Sequence, residues 1–459
     1  MFTAQTYMDR RTRLHLQLGS GLLLFLGNDE SSMNYRDNTY PFRQDSTFLY
    51  FFGLDRPGCA ALMDLDQGRT VLFGDDLTLD DIVWTGLQPT LAELARGSGV
   101  TETAPLSGLE EALQRTAGRT VHFLPPYRPE HRLKLIHLLG LAPDRQDAAA
   151  SAPFLQAVVA MRAVKGPEEI AELERAVDIT VDMHLAAMAM ARPGVTEAEI
   201  MAKVTQVALA AGGALAYPVI GTVHGETLHN HHYGNTLQSG QMFLLDAGAE
   251  TAAHYAGDLT STCPVDPAFT PRQRDVYEVV LRAHLQAVDQ VRPGIPYRDL
   301  HLAACRTLVE GLKDLGLMQG DPGEAVAQGA HAMFFQCGLG HMLGLDVHDM
   351  ENLGEVWVGY EGQPKSTQFG LKALRLARPL QPGFVLTVEP GLYFIPELAR
   401  RWRAEGRFTA FVNYSKLETY LDFGGIRIEE NVLVTAAGHH ILGKSRPRTV
   451  AELAAARNR

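Results

Sequence analysis

Residues 241–264, QMFLLDAGAETAAHYAGDLTSTCP, constrain the fold more than any other part of the chain. An apolar run ends at Asp246, small and polar residues follow, and a second extended run carries Asp258. An apolar strand, a turn rich in Gly, Ala and Thr, and a β-branched return strand together predict a β-hairpin. The hairpin would hold two carboxylates side by side, and these repel one another unless a cation lies between them. The segment therefore predicts a metal site at one end of a sheet.

Three more residues of this kind occur later in the chain. His341 follows Gly-Leu-Gly, Glu389 ends the apolar run 384–389 (FVLTVE), and Glu429 lies within 425–434 (GIRIEENVLV). An isolated charge in such an apolar strand would cost several kcal/mol. Taken singly, each residue is better explained as a structural acid or a core histidine. Taken with the hairpin, they predict a carboxylate-rich dinuclear site suited to Mn, Co, Zn or Fe.

A repeated order of elements predicts an internal duplication. A helix that begins at Pro167 ends at the tripeptide RPG at 192–194, and Thr196 with Glu199 caps a second helix. About a hundred residues later, a helix beginning at Pro271 ends at a second RPG and another helix follows. Each pair precedes an extended segment with histidines, at 216–233 and 332–347. The duplication predicts two α+β halves with a site between them.

The chain of 459 residues is too long for one ordinary core. Residues 1–160 alternate helix-like and strand-like stretches, with strands expected at 21–26, 47–52 and 70–73, and so predict a mixed α/β domain. The polar and aromatic segment 30–50 is as consistent with an ordered surface loop as with a functional one. The segment MRAVKG at 161–166 is the expected boundary to a second domain, 161–459.

Composition excludes several classes of protein. The net charge of −12 argues against a nucleic-acid-binding protein, which normally has a basic face. The four cysteines have no CxxC spacing, so neither a disulfide framework nor a zinc knuckle is expected. The apolar run LLLFL is too short to span a membrane, and the N-terminus carries charge where a secretory signal is apolar. We expect a cytoplasmic protein with no membrane contact.

Four blocks of the sequence resemble the signature blocks of the creatinase/aminopeptidase family: LLDAGAE…HYAGDLTSTCPV, GLGHMLGLDVHD, LTVEPGLY and GGIRIEENVLV. The segment TYPFRQDSTFLYFFGL is similar to the creatinase-type N-terminal domain of that family. The resemblance covers the whole chain. It implies an α/β N-terminal domain, contributing oligomer contacts and a cap over the cleft, and an α+β "pita-bread" catalytic domain with an internal pseudo-twofold repeat.

The resemblance also implies roles for the five candidate ligands. Asp246 would bind one metal ion, Asp258 and Glu429 would bridge two, and His341 with Glu389 would complete the shell of the first. A water or hydroxide between the ions would be the nucleophile. The family's habit suggests two Mn²⁺ ions, with Co²⁺ or Zn²⁺ as alternatives. Creatinase shares the fold but uses no metal and lacks this acidic set, so the acids argue for a metalloenzyme.

Further positions match the family's substrate-handling residues. His229 and His348 match two histidines that hydrogen-bond the scissile carbonyl and the tetrahedral intermediate. His231 and His232 offer another register for His229, which fits better by its distance from the DAG block. Arg427, two residues before Glu429 on a strand, would orient a ligating carboxylate.

Trp84 resembles a tryptophan that reaches a neighbouring subunit's active site in oligomeric members of the family. It would then contact substrate in a homodimer or homotetramer. An ordinary half-buried tryptophan is an equally good interpretation.

The sequence departs from the family pattern at Cys337, and it contains a long insert at 350–378. Cys337 stands where the family often has a histidine; a small buried thiol is the favoured interpretation, and a catalytic thiol the less favoured. The insert 350–378 could wall the substrate cleft or form a subunit contact.

The leading hypothesis is a dinuclear exopeptidase that releases the N-terminal residue from peptides with proline in second position. The alternative is a prolidase restricted to Xaa-Pro dipeptides, in which an arginine such as Arg375 or Arg400 would grip the dipeptide carboxylate. A non-enzymatic binding module would have lost metal ligands, and none is lost. A dinuclear phosphoesterase has no support from the specific blocks.

Overall fold

The computed structural model describes residues 1–116 and 118–457, which divide into two compact units. The first unit ends at Arg162 and the second begins at Ala163, within the segment 161–166. Among the described residues, no helix combines the length and the apolar character needed to cross a membrane.

Unit 1 is a mixed α/β structure. Its elements are α1 (Ala4–Leu18), β1 (Leu22–Leu26), α2 (Ser46–Phe52), β2 (Ala60–Asp64), β3 (Arg69–Phe73), α3 (Leu79–Thr85), α4 (Leu91–Gly97), β4 (Glu102–Ala104), α5 (Gly108–Gln114), β5 (Val121–His122), α6 (Pro129–Leu139), α7 (Pro143–Ala149) and α8 (Ala152–Ala163), whose last residue begins unit 2. The strands form one sheet in the order β4-β3-β2-β1-β5. Leu22, Leu24, Leu62 and Phe73 of this sheet lie in the unit's hydrophobic core.

The strand predicted at 47–52 is wrong, because this stretch is helix α2. The Asp45 side chain accepts the backbone N–H of Phe48 at the start of α2, and Gly53 ends the helix in the left-handed conformation. All seven residues of α2 are buried. A short apolar run that is buried all round has no periodicity that separates helix from strand. The strands predicted at 21–26 and 70–73 correspond to β1 and β3.

Unit 2 carries the repeated helix pairs. Its elements are α9 (Pro167–Met190), α10 (Glu197–Ala210), β6 (Ala214–Leu215), β7 (Ile220–Thr222), β8 (Met242–Ala247), β9 (Ala249–Glu250), β10 (Leu259–Pro264), α11 (Pro271–Asp289), α12 (Tyr297–Asp314), α13 (Pro322–Gln328), α14 (Glu355–Val358), β11 (Val385–Val388), β12 (Gly391–Tyr393), α15 (Pro396–Ala404), α16 (Tyr414–Leu417), β13 (Gly425–Arg427), β14 (Glu430–Val434), β15 (His439–Ile441) and α17 (Val450–Arg457). Short 3₁₀ helices lie at Ala330–Met333, Glu351–Leu353, Leu371–Ala373 and Glu418–Tyr420.

Each helix pair is followed by a three-stranded sheet. The first sheet has the order β10-β8-β7 and the second the order β11-β14-β15. The predicted cap at Thr196 is observed, since its side chain accepts a backbone N–H of the first turn of α10, and Thr270 caps α11 in the same way. The extended segment predicted at 332–347 is instead a 3₁₀ turn followed by bends, and only β7 forms within 216–233.

The acid-bearing hairpin is present, with β8 and β10 antiparallel and Thr260 paired with Asp246. Its connection is more than a short turn, because β9 lies within it and pairs with β6.

The prediction of one continuous strand at 425–434 is wrong, because the structure has two strands there. The stretch breaks at Ile428 and Glu429 into β13, which pairs with β12, and β14, which pairs with β11 and β15. The break lets one short stretch serve two sheets and places Glu429 between them.

Candidate active site

A cavity of about 190 Å³ in unit 2 contains eight of the residues predicted from the sequence. They come from separate strands and loops of both repeated halves. The set is Asp246, Asp258, His341, Glu389, Glu429, His229, His348 and Arg427. Apolar residues complete part of the wall, among them Ile220, Leu228 and Val347.

Two glycines allow the hairpin to place its acids together. A Cβ atom on Gly248 would lie 1.9 Å from the carbonyl oxygen of Gly257, and one on Gly257 would lie 2.6 Å from the Thr180 hydroxyl. Only glycine permits the two backbones to approach this closely. Asp246 and Asp258 are next to these glycines within the Asp-Ala-Gly and Ala-Gly-Asp sequences. The Tyr217 hydroxyl lies 2.6 Å from Oδ1 of Asp246 and 2.5 Å from Oδ1 of Asp258.

Glu429 is fixed from the first repeat. Its Oε2 accepts a hydrogen bond of 2.6 Å from the Thr260 hydroxyl, and its backbone N–H donates to the carbonyl of Thr260. The side chain of Asn431 accepts the backbone N–H of Asp258 at 2.9 Å. These contacts bring the acids of the two halves into one centre.

His341 is held close to strand β11 by the preceding glycine. A Cβ atom on Gly340 would lie 2.1 Å from the carbonyl oxygen of Thr387. The Nδ1 atom of His341 lies 3.0 Å from the carbonyl oxygen of Met342, which leaves Nε2 facing the acids. This Nε2 lies 3.3 Å from Asp258 and 3.4 Å from Glu389.

Arg427 pairs with an acid of the centre, as the sequence predicted. Its guanidinium lies 2.5 Å from Oδ2 of Asp246 and donates to the Thr260 and Tyr393 hydroxyls at 3.0 and 2.9 Å. The side chain is buried. A charged guanidinium with three partners both orients the carboxylate and offsets part of its charge.

The electrostatics of the acids fit a bound cation. Burial, reinforced by the neighbouring carboxylate of Asp246, raises the pKa of Asp258 to about 7. Burial and the adjacent carboxylates also raise the pKa of Glu429 well above its ordinary value, and burial raises the pKa of Glu389. The ligand atoms of Asp258, His341 and Glu429 lie within 4.8 Å of one another. A divalent cation would keep these carboxylates ionised, and their oxygen and imidazole donors suit such an ion.

His229 and His348 lie on the cavity wall. Burial lowers the pKa of His229. The His348 ring centroid is 4.4 Å from that of His341, and its Nδ1 is 2.5 Å from the carboxylate of Glu351. A carboxylate on Nδ1 orients the ring, so its Nε2 is the atom available to a substrate.

The insert 350–378 contributes to the wall through Ala373 and Arg375. Arg375 lies 3.5 Å from both Glu351 and Glu355. Cys337 also lines the cavity, and burial raises the pKa of its thiol to about 12. A protonated thiol is a weak donor and no nucleophile.

Trp84 lies on α3 of unit 1, and 87% of it is exposed. It is not among the cavity-lining residues in the described part of the chain. Its contact with substrate stays a prediction.

Several residues of the centre were not predicted from the sequence. Thr260 could have been found, because it lies two residues after Asp258 on the same face of a strand. Tyr217 and Asn431 carry no local signal, since only the tertiary fold brings them to the acids.

Comparisons with known proteins agree with this architecture. A family model described as metallopeptidase family M24 matches residues 171–436, and one described as the aminopeptidase P N-terminal domain matches residues 7–122. The low-pH form of Escherichia coli aminopeptidase P superposes with a TM-score of 0.83 at 31% identity, over 100% of this chain and 99% of that one. The predicted pita-bread fold is therefore confirmed.

Curated relatives carry two different names at nearly equal similarity. The human Xaa-Pro dipeptidase is 31% identical over 96% of this chain and 89% of its own length. A probable Xaa-Pro aminopeptidase of Chaetomium globosum is 30% identical over 94% of this chain and 80% of its own length. The prediction of a hydrolase of the Xaa-Pro aminopeptidase and prolidase group is confirmed. With an N-terminal aminopeptidase P domain and a catalytic unit built around one acidic cavity, this chain belongs to metallopeptidase family M24.

Proposed function

We propose that this enzyme releases the N-terminal residue from peptides with proline in the second position, using two divalent metal ions in the acidic cavity. One observation carries the proposal. Four carboxylates and the imidazole of His341, drawn from both repeats, line the same cavity, and the buried guanidinium of Arg427 pairs with one of these carboxylates. Family membership implies divalent ions.

The proposed ligand roles are those that the family resemblance implies for these positions. Asp246 would bind one ion, and Asp258 and Glu429 would bridge the two. His341 and Glu389 would complete the ligands of the first ion. The hydrogen bond from His341 Nδ1 to the Met342 carbonyl leaves its Nε2 lone pair for a metal. Two such ions would supply an acidified water and polarise the scissile carbonyl. Mn²⁺ is the proposed pair, with Co²⁺ or Zn²⁺ as alternatives.

Other residues of the cavity would bind the substrate or orient a ligand. His348 and His229 would donate hydrogen bonds to the scissile carbonyl, where negative charge develops. Glu351 holds the His348 ring in place. Arg427 orients the Asp246 carboxylate. The apolar wall of Ile220, Leu228 and Val347 suits the pyrrolidine ring of proline.

The ligand assignment is tested by counting metal ions. The full chain should hold two divalent ions, and Asp258→Ala or Glu429→Ala should lower that number together with peptidase activity. Asp266→Ala is a matched control, because Asp266 is a surface acid that binds the Ser239 hydroxyl and the Gly240 backbone. Full metal content and full activity in Asp258→Ala and Glu429→Ala would overturn the assignment.

Peptide length is the point on which aminopeptidase and prolidase differ. Arg375 lies on the cavity wall, whereas Arg400 lies on α15 and contacts Glu397 at 3.3 Å. Arg375 is therefore the better-placed arginine for a dipeptide carboxylate. Its present partners, Glu351 and Glu355, offset its charge, which favours an enzyme that also accepts longer peptides.

The α3 helix supports the proposal of a homodimer or homotetramer. The apolar side chains of this helix, Leu79, Val83 and Trp84, and the following Leu87 are each more than 70% exposed. Large exposed apolar patches commonly mark protein contacts. Residues 1–160 would supply these contacts and cap the cleft, with Trp84 approaching a neighbouring active site. A cytoplasmic location is the remaining expectation from the sequence.

A further inference from the structure

A second cluster of metal-binding residue types lies outside the acidic cavity. His301 and Cys305 are four residues apart on α12 and so share one face of that helix. His331 comes from the 3₁₀ helix Ala330–Met333. None of the three lines the cavity described above. The proposed peptidase activity gives them no role.

The three side chains converge on one point. The Nε2 atom of His301 lies 3.5 Å from the Sγ atom of Cys305. One ligand atom from each of the three residues lies within 4.8 Å of the other two. Cys305 and His301 are fully buried, and His331 is 2% exposed. The spacing suits three ligands around a single ion.

The histidines carry polar atoms that the protein leaves without partners. Among the described residues, neither ring nitrogen of His331 nor Nδ1 of His301 has a hydrogen-bond partner. A backbone group of Val326 is near His331 but outside hydrogen-bonding geometry. A buried nitrogen without a partner is unfavourable, because it has lost its hydrogen bonds to water. On His331, a bound metal would use a nitrogen lone pair that is otherwise unsatisfied.

We propose that His301, Cys305 and His331 form a buried site for one thiophilic metal ion, Cu⁺ or Zn²⁺. Thiolate and imidazole ligands select these ions, whereas the carboxylate-rich centre selects harder ones. On binding, the Sγ atom of Cys305 loses its proton to solvent and forms the metal–sulfur bond, with no change of oxidation state. The two neutral imidazoles each donate a nitrogen lone pair.

The surroundings favour the monovalent ion. Phe335 packs against the His301 ring with a centroid distance of 5.6 Å. Cu⁺ with one thiolate and two imidazoles is neutral, whereas Zn²⁺ with the same ligands keeps a positive charge. Burying a net charge in an apolar setting is strongly unfavourable. We therefore expect Cu⁺ to bind more tightly than Zn²⁺.

The test counts metal ions in the full chain. The protein is expressed in medium supplemented with zinc or with copper, since a buried site is loaded as the chain folds. It is then reduced, dialysed against a chelator and measured by mass spectrometry. One chelator-resistant ion per chain is expected, and it should persist in Asp258→Ala, which disables the acidic centre. X-ray absorption should show one sulfur at about 2.3 Å and nitrogens at about 2.0 Å.

Variants separate a metal site from simple packing. Cys305→Ala should lose the ion, and Cys59→Ala, which removes another buried free cysteine, should keep it. His331→Phe keeps an aromatic ring, so it should fold and also lose the ion. Absence of a chelator-resistant ion with both metals, or an ion that remains in both Cys305→Ala and His331→Phe, would overturn the proposal. Neither result bears on the peptidase assignment, which depends on other residues.

Discussion

Both oxygens of the Asp246 carboxylate have a partner, and these contacts fix the orientation of this proposed metal ligand. Tyr217 binds Oδ1 and Arg427 binds Oδ2. Each carboxylate oxygen has two lone pairs, so these contacts leave room for an ion. Tyr217 also contacts Asp258, and it thereby sets the spacing of the two acids. Partners of this kind commonly contribute 10–100-fold to metal affinity or activity.

The thiol of Cys337 should be dispensable for catalysis. With a pKa raised to about 12 by burial, the thiol stays protonated at neutral pH and cannot act as a nucleophile. We expect Cys337→Ala to keep kcat within about tenfold of the wild type, corresponding to at most ~1.4 kcal/mol of barrier. Steady-state assays on an Xaa-Pro peptide measure this. Loss of activity by several orders of magnitude, with metal content unchanged, would restore the catalytic-thiol interpretation.

Arg375 should matter more for short substrates than for long ones. A dipeptide places its C-terminal carboxylate within the cavity, where a charge-assisted contact is worth about 1.5–3 kcal/mol. Arg375→Ala should therefore raise KM for an Xaa-Pro dipeptide about 10–100-fold and leave KM for a pentapeptide nearly unchanged. Arg400→Ala is the control, because Arg400 lies away from the cavity wall. Equal effects of Arg375→Ala on both substrates would contradict this role.

At the scale of the elements, the hairpin was predictable because its acids interrupt a strong strand pattern. What the sequence could not supply is the close contact of Gly248 and Gly257, which depends on how the connection folds back. The break at Ile428 and Glu429 was missed for a similar reason, since alternating residues continue through it and only pairing with different neighbours divides the strand. Helix α2 was missed because its burial on all sides erases periodicity.

The glycine contact can be tested by adding one methyl group. Gly248→Ala places a Cβ 1.9 Å from a backbone oxygen, so the hairpin must shift. We expect a loss of about 3 kcal/mol in the free energy of unfolding, from overpacking, together with lower metal content. Gly438→Ala is the matched control, since a Cβ there has nothing within 4 Å and the cost should be within about 0.5 kcal/mol. The midpoint of urea denaturation measures both, and equal midpoints would contradict the packing argument.

At the scale of the whole molecule, removing the metal should make stability depend on pH. The folded-state pKa of Asp258 is raised to about 7, and those of Glu389 and Glu429 are raised as well. An acid with a raised pKa binds more protons in the folded state, so stability is greatest below the unfolded value of about 4 and falls as pH rises toward 7. The metal-free protein should therefore melt at progressively lower temperature between these limits.

Calorimetry in the presence of a chelator measures how the melting temperature of the metal-free protein changes with pH. Asp258→Asn should flatten this dependence, because the substitution removes one of the titrating groups. Added divalent metal should raise the melting temperature most at the upper end of the range, where the acids repel one another. A metal-free protein whose stability increases through this interval would contradict the proposed electrostatics.

The whole-molecule architecture was accessible from the sequence through the repeated helix pairs and the family blocks. The division between the units falls within the stretch where Pro and acidic residues start a new helix, at 161–166 and Pro167. The contents of the centre were predicted through residue types that are costly to bury without a counter-charge. The residues that hydrogen-bond these acids, Tyr217 and Asn431, were not predicted, because only the tertiary fold brings them to the acids.

The central claim is metal-dependent removal of an N-terminal residue ahead of proline. The most direct measurement is the release of that residue from Xaa-Pro and Xaa-Pro-Xaa peptides, with added Mn²⁺ and with a chelator. We predict release from the tripeptide that requires the metal and is lost in Glu429→Gln. If only the dipeptide is cleaved, the enzyme is a prolidase and the aminopeptidase proposal is wrong. Release that continues after metal removal would contradict the central claim.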